Sequence, residues 1–237
     1  MAAPVHVAKL AGGYDSHADE VSDTMRFVRK VYSILAFQLT LTTMMIIAAQ
    51  SSDSVKLYML ENQLVAITCA VGTIVFMIMI VCCFGRLVPV NYILLVAFTF
   101  CESYMVAGMT IAYDPNTVIL AGLATALTTV SLTIYALRTT VKIEVFAALS
   151  FVVYFAMFPI LIIGLLMGLG GMYTLYCMLG VILYSLFLIM DTIMICGGKS
   201  LGGVSNVSYD DYIMAAMMLY LDIIMLFVYI LKLLGNK

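Results

Sequence analysis

Seven stretches of this chain run for about 20 residues with almost no charge, the length a helix needs to cross a bilayer. They fall at roughly 31–50, 64–84, 90–113, 117–137, 145–168, 172–195 and 212–234. The punctuation between them is polar or turn-forming: "QSSDS" after the first, "GRLVP" after the second, "DPN", "RTTVK" and "GLGG" after the next three. No soluble domain fits between the runs, and nothing in the pattern alternates as a strand does. Composition agrees: 65% of the 237 residues are hydrophobic and 10% charged, against about 25% charged in soluble domains. The expected fold is an all-α integral membrane bundle whose solvent is lipid. Residues 1–30 read as a polar tail and residues 31–237 as the seven-helix transmembrane domain.

The tail has no apolar h-region, so the first run is read as a permanent span rather than a cleaved signal. Lys9, Arg26, Arg29, Lys30, Arg86, Arg138, Lys142 and Lys199 fall on one side, and Lys56, Lys232 and Lys237 on the other. The positive-inside rule then puts the N-terminus in the cytosol and, with seven spans, the C-terminus outside. A formal net charge of -2 with scattered cations offers no footprint for nucleic acid.

Several familiar chemistries are absent. The six cysteines lie in or at the end of apolar runs and form no CxxC pair, which is how small buried hydrophobes are used. Adjacent Cys82 and Cys83 read as packing residues, with palmitoylation the alternative. The only histidines, His6 and His17, lie in the tail. "CGGKS" ends like a phosphate loop, but the upstream glycine position holds Ile193. Gly164 and Gly168 make one GxxxG, read as a helix contact within the bundle. The link 196–211, "CGGKSLGGVSNVSYDD", reads as a mobile loop ending in an acidic helix start. No enzyme emerges, and no cofactor is expected.

Three acids stand out: Glu102, Asp191 and Asp222. A carboxylate in a span costs about 2.5–3.5 kcal/mol, so it faces a partner or a cavity. Asp222 lies about 15 Å from the cytosolic end of its run and Asp191 about 6 Å from the same face, at 1.5 Å per residue. Their spans are joined by one loop and run antiparallel, so tilt or a deeper loop brings the two together. Two carboxylates in a low-dielectric site do not both ionise cheaply; they share a proton until a cation replaces it. All-oxygen ligation favours Ca²⁺. Asp191 also reads as a helix end beside Thr192, and Glu102 as either a pore acid or a buried acid bonded to Ser103 or Thr110.

The stretches "RFVRKVYSILAFQLTLT", "VPVNYILLVAFTFCESYMVAG", "MDTIMICGGK" and "DDYIMAAMMLYLDIIMLF" resemble the transmembrane Bax inhibitor motif proteins, in particular the lifeguard branch. The resemblance runs from about residue 26 onward. It implies a seven-helix bundle with the last helix central, and a di-aspartyl pair, Asp191 and Asp222, gating a pH-sensitive Ca²⁺ leak that closes at high pH. It also implies residence in the ER, Golgi or related membranes, a lowered luminal Ca²⁺ and protection from cell death. Glu102 matches the acid of the family's third-helix stretch. The chain departs from the family at Ile193, where a Gln is usual, at Arg138 in "LRTTVK", and at Ala107, inserted before Gly108. The second reading is a membrane adaptor that holds apoptosis or stress-signalling proteins through its tail, with the buried acids structural.

Overall fold

The computed structural model describes residues 4–167, 170–196 and 211–235, with side chains from residue 22 onward except at 165–170. Its elements are α1 (Pro4–Ser51), α2 (Asp53–Glu61), α3 (Gln63–Met79), α4 (Val90–Thr110), α5 (Pro115–Arg138), α6 (Ile143–Met167), α7 (Gly170–Cys196) and α8 (Tyr212–Gly235). A wider π turn, Ile80–Phe84, closes α3. Among the described residues there is no strand.

Seven helices are long and apolar enough to cross a membrane, over Ser22–Ser51, Gln63–Phe84, Val90–Thr110, Pro115–Arg138, Ile143–Gly164, Gly171–Cys196 and Tyr212–Leu234. They are the seven runs read from the sequence, with ends shifted by a few residues except at the first. There the helix continues unbroken through the polar segment from Pro4. The stretch between the first two spans is itself helical: Ser52 precedes α2, Asp53 lies in its first turn, and Met59 is buried. An acid at that position meets the positive end of the helix dipole.

The helices are sorted by how much of each is covered. In the last span 78% of the most apolar window is buried, against 11% for Gln63–Phe84 and 17% for Pro115–Arg138. α8 packs against α7, α1, α5 and α4, whereas α3 leans mainly on α4 and α6 on α7. Ile213, Tyr220 and Leu226 of α8 are fully enclosed. Leu64 and Leu127 point outward, 78% and 72% exposed, on surfaces that water would not tolerate and acyl chains would.

Hydroxyls on the outer faces are satisfied within their own helix. Ser33 donates to the Arg29 carbonyl, Thr40 to Ala36, Thr68 to Leu64 and Ser131 to Leu127, each at 2.7–2.8 Å. In hydrocarbon such back-bonding is the available partner. Gly164 lets α6 approach α7 closely, since an added Cβ would sit 3.1 Å from the Met172 Cβ. Gly168 of that GxxxG, residues 168–169 of "GLGG" and residues 197–210, with their "GGKS", lie outside the described residues.

Candidate functional site

The two span aspartates meet. Asp222 on α8 and Asp191 on α7 are 7% and 8% exposed, and their side chains are hydrogen-bond partners. Such a bond needs a proton, because two ionised carboxylates offer only acceptors. Their depths, read along the helices, differ by about two turns. Side-chain direction closes part of that gap. A Cα–Cβ bond tilts toward its own helix N-terminus, so in antiparallel helices Asp191 and Asp222 lean toward each other. Apart from Asp191, no group among the described residues bonds to the buried Oδ2 of Asp222.

The opposite face of α8 is tied down. Tyr220, two residues before Asp222, points to α1 and α4, where Thr42 and Ser103 lie. Thr42 donates its hydroxyl proton to the Gln38 carbonyl at 2.9 Å. Its oxygen therefore accepts from Ser103 and Tyr220, both at 2.8 Å. Thr99 likewise gives its proton to the Leu95 carbonyl, so it accepts from the Gln38 amide nitrogen at 3.0 Å. The Gln38–Thr99 and Thr42–Ser103 pairs are both 61 residues apart, the mark of two parallel helices in one register. The Phe98 ring meets Tyr220 edge-on, with centroids 6.1 Å apart.

Glu102 takes neither partner named from the sequence. Its carboxyl faces Thr73 on α3, whose hydroxyl donates to the Cys69 carbonyl at 3.0 Å. Ser103 is committed to Thr42, and Thr110 donates to its own helix at the Ala107 carbonyl. The physical reason is rotation: one position along α4 turns the side chain by about 100°, from the α1 and α8 side to the α3 side. Glu102 therefore stands apart from the aspartate pair.

Other readings shift too. Cys69 and Cys177 are buried as expected, but Cys82 and Cys83 are exposed on the closing turn of α3, so the packing reading does not hold for them. Among the described residues no cluster of three or more His, Cys, Asp or Glu exists. A resident Ca²⁺ takes about six to eight oxygens, more than two carboxyls supply.

Two features escaped the sequence reading. Arg86, in the loop before α4, forms a fork to Asp211 at the start of α8, Nε to Oδ1 at 2.7 Å and a terminal nitrogen to Oδ2 at 2.9 Å. Lys30 lies 4.9 Å from the centre of the neighbouring Tyr212 ring. The second is a group of tyrosines. Tyr184 and Tyr229 stack at 5.6 Å, and the Tyr176 and Tyr229 hydroxyls are 3.1 Å apart. Their only sequence trace is spacing: Tyr184 is seven residues before Asp191, and Tyr229 seven after Asp222. Seven residues is about two turns, so each tyrosine shares a face with its aspartate.

Residues 24–237 match the family described as "Inhibitor of apoptosis-promoting Bax1". Among curated proteins the chain is 30% identical to human Protein lifeguard 3 over 95% of its own length and 77% of that protein's. It is 28% identical to mouse Protein lifeguard 3, covering 99% of the chain and 81% of the relative. Mouse Protein lifeguard 4 is 31% identical over 88% of the chain and 84% of the relative.

Proposed function

Since the chain belongs to the Bax inhibitor family, in its lifeguard branch, we propose that this multi-pass membrane protein is a Ca²⁺ leak pathway gated by Asp191 and Asp222. The observation that carries the reading is the meeting of these two buried carboxyls on adjacent antiparallel helices, with no third group among the described residues bonded to Asp222 Oδ2. A bundle built only for packing has no use for that arrangement. Each carboxylate costs about 2.5–3.5 kcal/mol to insert, and apolar residues of similar volume would fill the space without it.

The chemistry follows from the geometry. With one proton between them, the carboxyls bond to each other and draw α7 against α8. Loss of that proton leaves two negative charges in a poorly screened site, and their repulsion works against the same contact as pH rises, opposite in direction to the closure at high pH that the resemblance implies. A divalent cation entering between them balances both charges, and the proton leaves as it arrives. The gate therefore responds to pH and to the ion it passes.

The names of the family and of the relatives support a role in restraining cell death. A leak that lowers stored Ca²⁺ in the ER or Golgi gives that role a route. Arg26, Arg29, Lys30, Arg86, Arg138 and Lys142 support a cytosolic N-terminus by the positive-inside rule.

The test is Ca²⁺ flux into liposomes holding purified protein, near pH 6 and near pH 8, for the natural chain, Asp191→Asn and Asp222→Asn. Flux that differs between the two pH values, with the difference flattened in both variants, is the expected result. Unchanged flux and pH profile in both variants would sink the gate. Folded protein without flux above empty liposomes would sink the leak.

A further inference from the structure

Of the six cysteines, Cys82 and Cys83 are the two exposed ones, and they stand side by side on the π turn that closes α3. Cys69 and Cys177 are buried, and Cys101 and Cys196 are half-buried. A thiol used only as a small hydrophobe belongs with those four. The turn explains why this pair differs. Along α3 exposed residues come singly or in twos, at 67–68, 71, 74–75 and 78, whereas 81–83 are exposed in a row between buried Ile80 and half-buried Phe84. A turn closed from i to i+5 holds one residue more than an α turn, and here it widens the outward arc to take in both cysteines. Gly85 permits it, because a Cβ at that position would lie 2.5 Å from the Ile80 carbonyl oxygen.

The surroundings suit a fatty chain. Gln63–Phe84 is the least covered of the seven spans and leans mainly on α4. Ile67, Val71, Ile74 and Ile78 form an exposed apolar stripe at helical spacing that leads to Cys82. That stripe is about 22 Å long at 1.5 Å per residue, room to lay out a long acyl group. Arg86 follows the turn by one residue, and the positive-inside rule gives that end of the span to the cytosol, where acyl-CoA is at hand. Juxtamembrane cysteines are the setting in which thioester acylation occurs.

We propose that Cys82 and Cys83 are an S-acylation site for a long-chain fatty acid donated by acyl-CoA. In net terms the cysteine sulfur attacks the acyl carbonyl carbon. The new sulfur–carbon bond forms as the bond to the CoA sulfur breaks, and CoA leaves as the thiol with the proton that the cysteine gives up. No oxidant or reductant takes part. The spans already hold the chain in the bilayer, so the acyl group acts locally. It pins the turn and the Arg86 loop to the membrane face, beside the entry of α8 that Arg86 holds through Asp211. The site needs nothing from the leak reading. The alternative, thiols that merely face lipid tails, forecasts no thioester.

The experiment is labelling with an alkyne-bearing palmitate in animal cells that express the full-length chain. Neutral hydroxylamine, which cleaves thioesters and spares amides, scores the linkage. Hydroxylamine-labile label is expected on the natural chain and should persist in Cys101→Ser. It should fall in Cys82→Ser and in Cys83→Ser, and drop to background when both are replaced. Serine at these exposed positions leaves the fold alone, which a single symmetric elution peak in detergent checks. Gly85→Ala keeps both thiols but crowds the turn, and should lower the label severalfold. A natural chain without labile label, or label undiminished in the double variant, would overturn the site. Full label in Gly85→Ala would overturn the part given to the π turn.

Discussion

Arg86 grips Asp211 with two nitrogens on two oxygens, at 2.7 and 2.9 Å, and so ties the loop after α3 to the entry of α8. The Asp211 side chain is 11% exposed and that of Arg86 67%. Screening at the arginine keeps the pair weak, about 1 kcal/mol, but the fork fixes direction as well as distance. Arg86→Lys is expected to keep the charge and lose the fork. A fall in thermal unfolding temperature in detergent for Arg86→Lys, close to that for Arg86→Ala, would show that geometry matters more than charge. Full retention in Arg86→Lys would show the reverse.

Thr42 accepts from both Ser103 and Tyr220, which also reach each other, so Thr42→Val removes the shared acceptor and strands one of the two buried donors. A stranded donor costs about 1–3 kcal/mol. Ser33→Ala, which removes a hydroxyl bonded only to its own helix, should cost far less. Chemical unfolding of the two variants side by side measures the gap. Equal losses would mean that the Thr42 junction contributes nothing beyond its helix.

Gly180→Ala places a methyl group against the Tyr229 ring. Overpacking of this kind costs about 1–3 kcal/mol, and the ring is the group that must move. Combining Gly180→Ala with Tyr229→Leu should return most of the lost stability. A double variant no better than the single one would place the strain elsewhere.

Removal of residues 1–21, which precede the first span, leaves the aspartate pair and its neighbours intact. Ca²⁺ flux should survive the deletion. Loss of flux from folded protein would favour the adaptor reading and its tail-bound partners.

The spans were legible because hydrocarbon imposes one simple requirement, about 20 apolar residues, and the chain meets it seven times. Helix α2 was not, since nine residues of mixed polarity satisfy no such rule. Asp191 and Asp222 were legible as charges out of place, and their meeting followed from one loop and an antiparallel pair of spans. The partner of Glu102 was not legible. Ser103 and Thr110 are near it in sequence, but helix rotation sends them elsewhere, and Thr73 comes from another span. The tyrosines stayed hidden for a related reason: inside an apolar run, a tyrosine reads as one more hydrophobe until its neighbours across the bundle are known.

The two faces of α8 are held very differently. Toward α1 and α4, Tyr220 is bolted through Thr42 into a net of hydroxyls that ends on backbone carbonyls. Toward α7, one polar tie is the aspartate contact, which a single proton makes or removes. Parting the carboxyls by pulling α8 away would break the hydroxyl net as well. Parting them by swinging α7, with α6 packed on it, would not. The hydroxyl net therefore joins α1, α4 and α8 into one tied unit, and Asp191 stands outside it, on the α6–α7 pair.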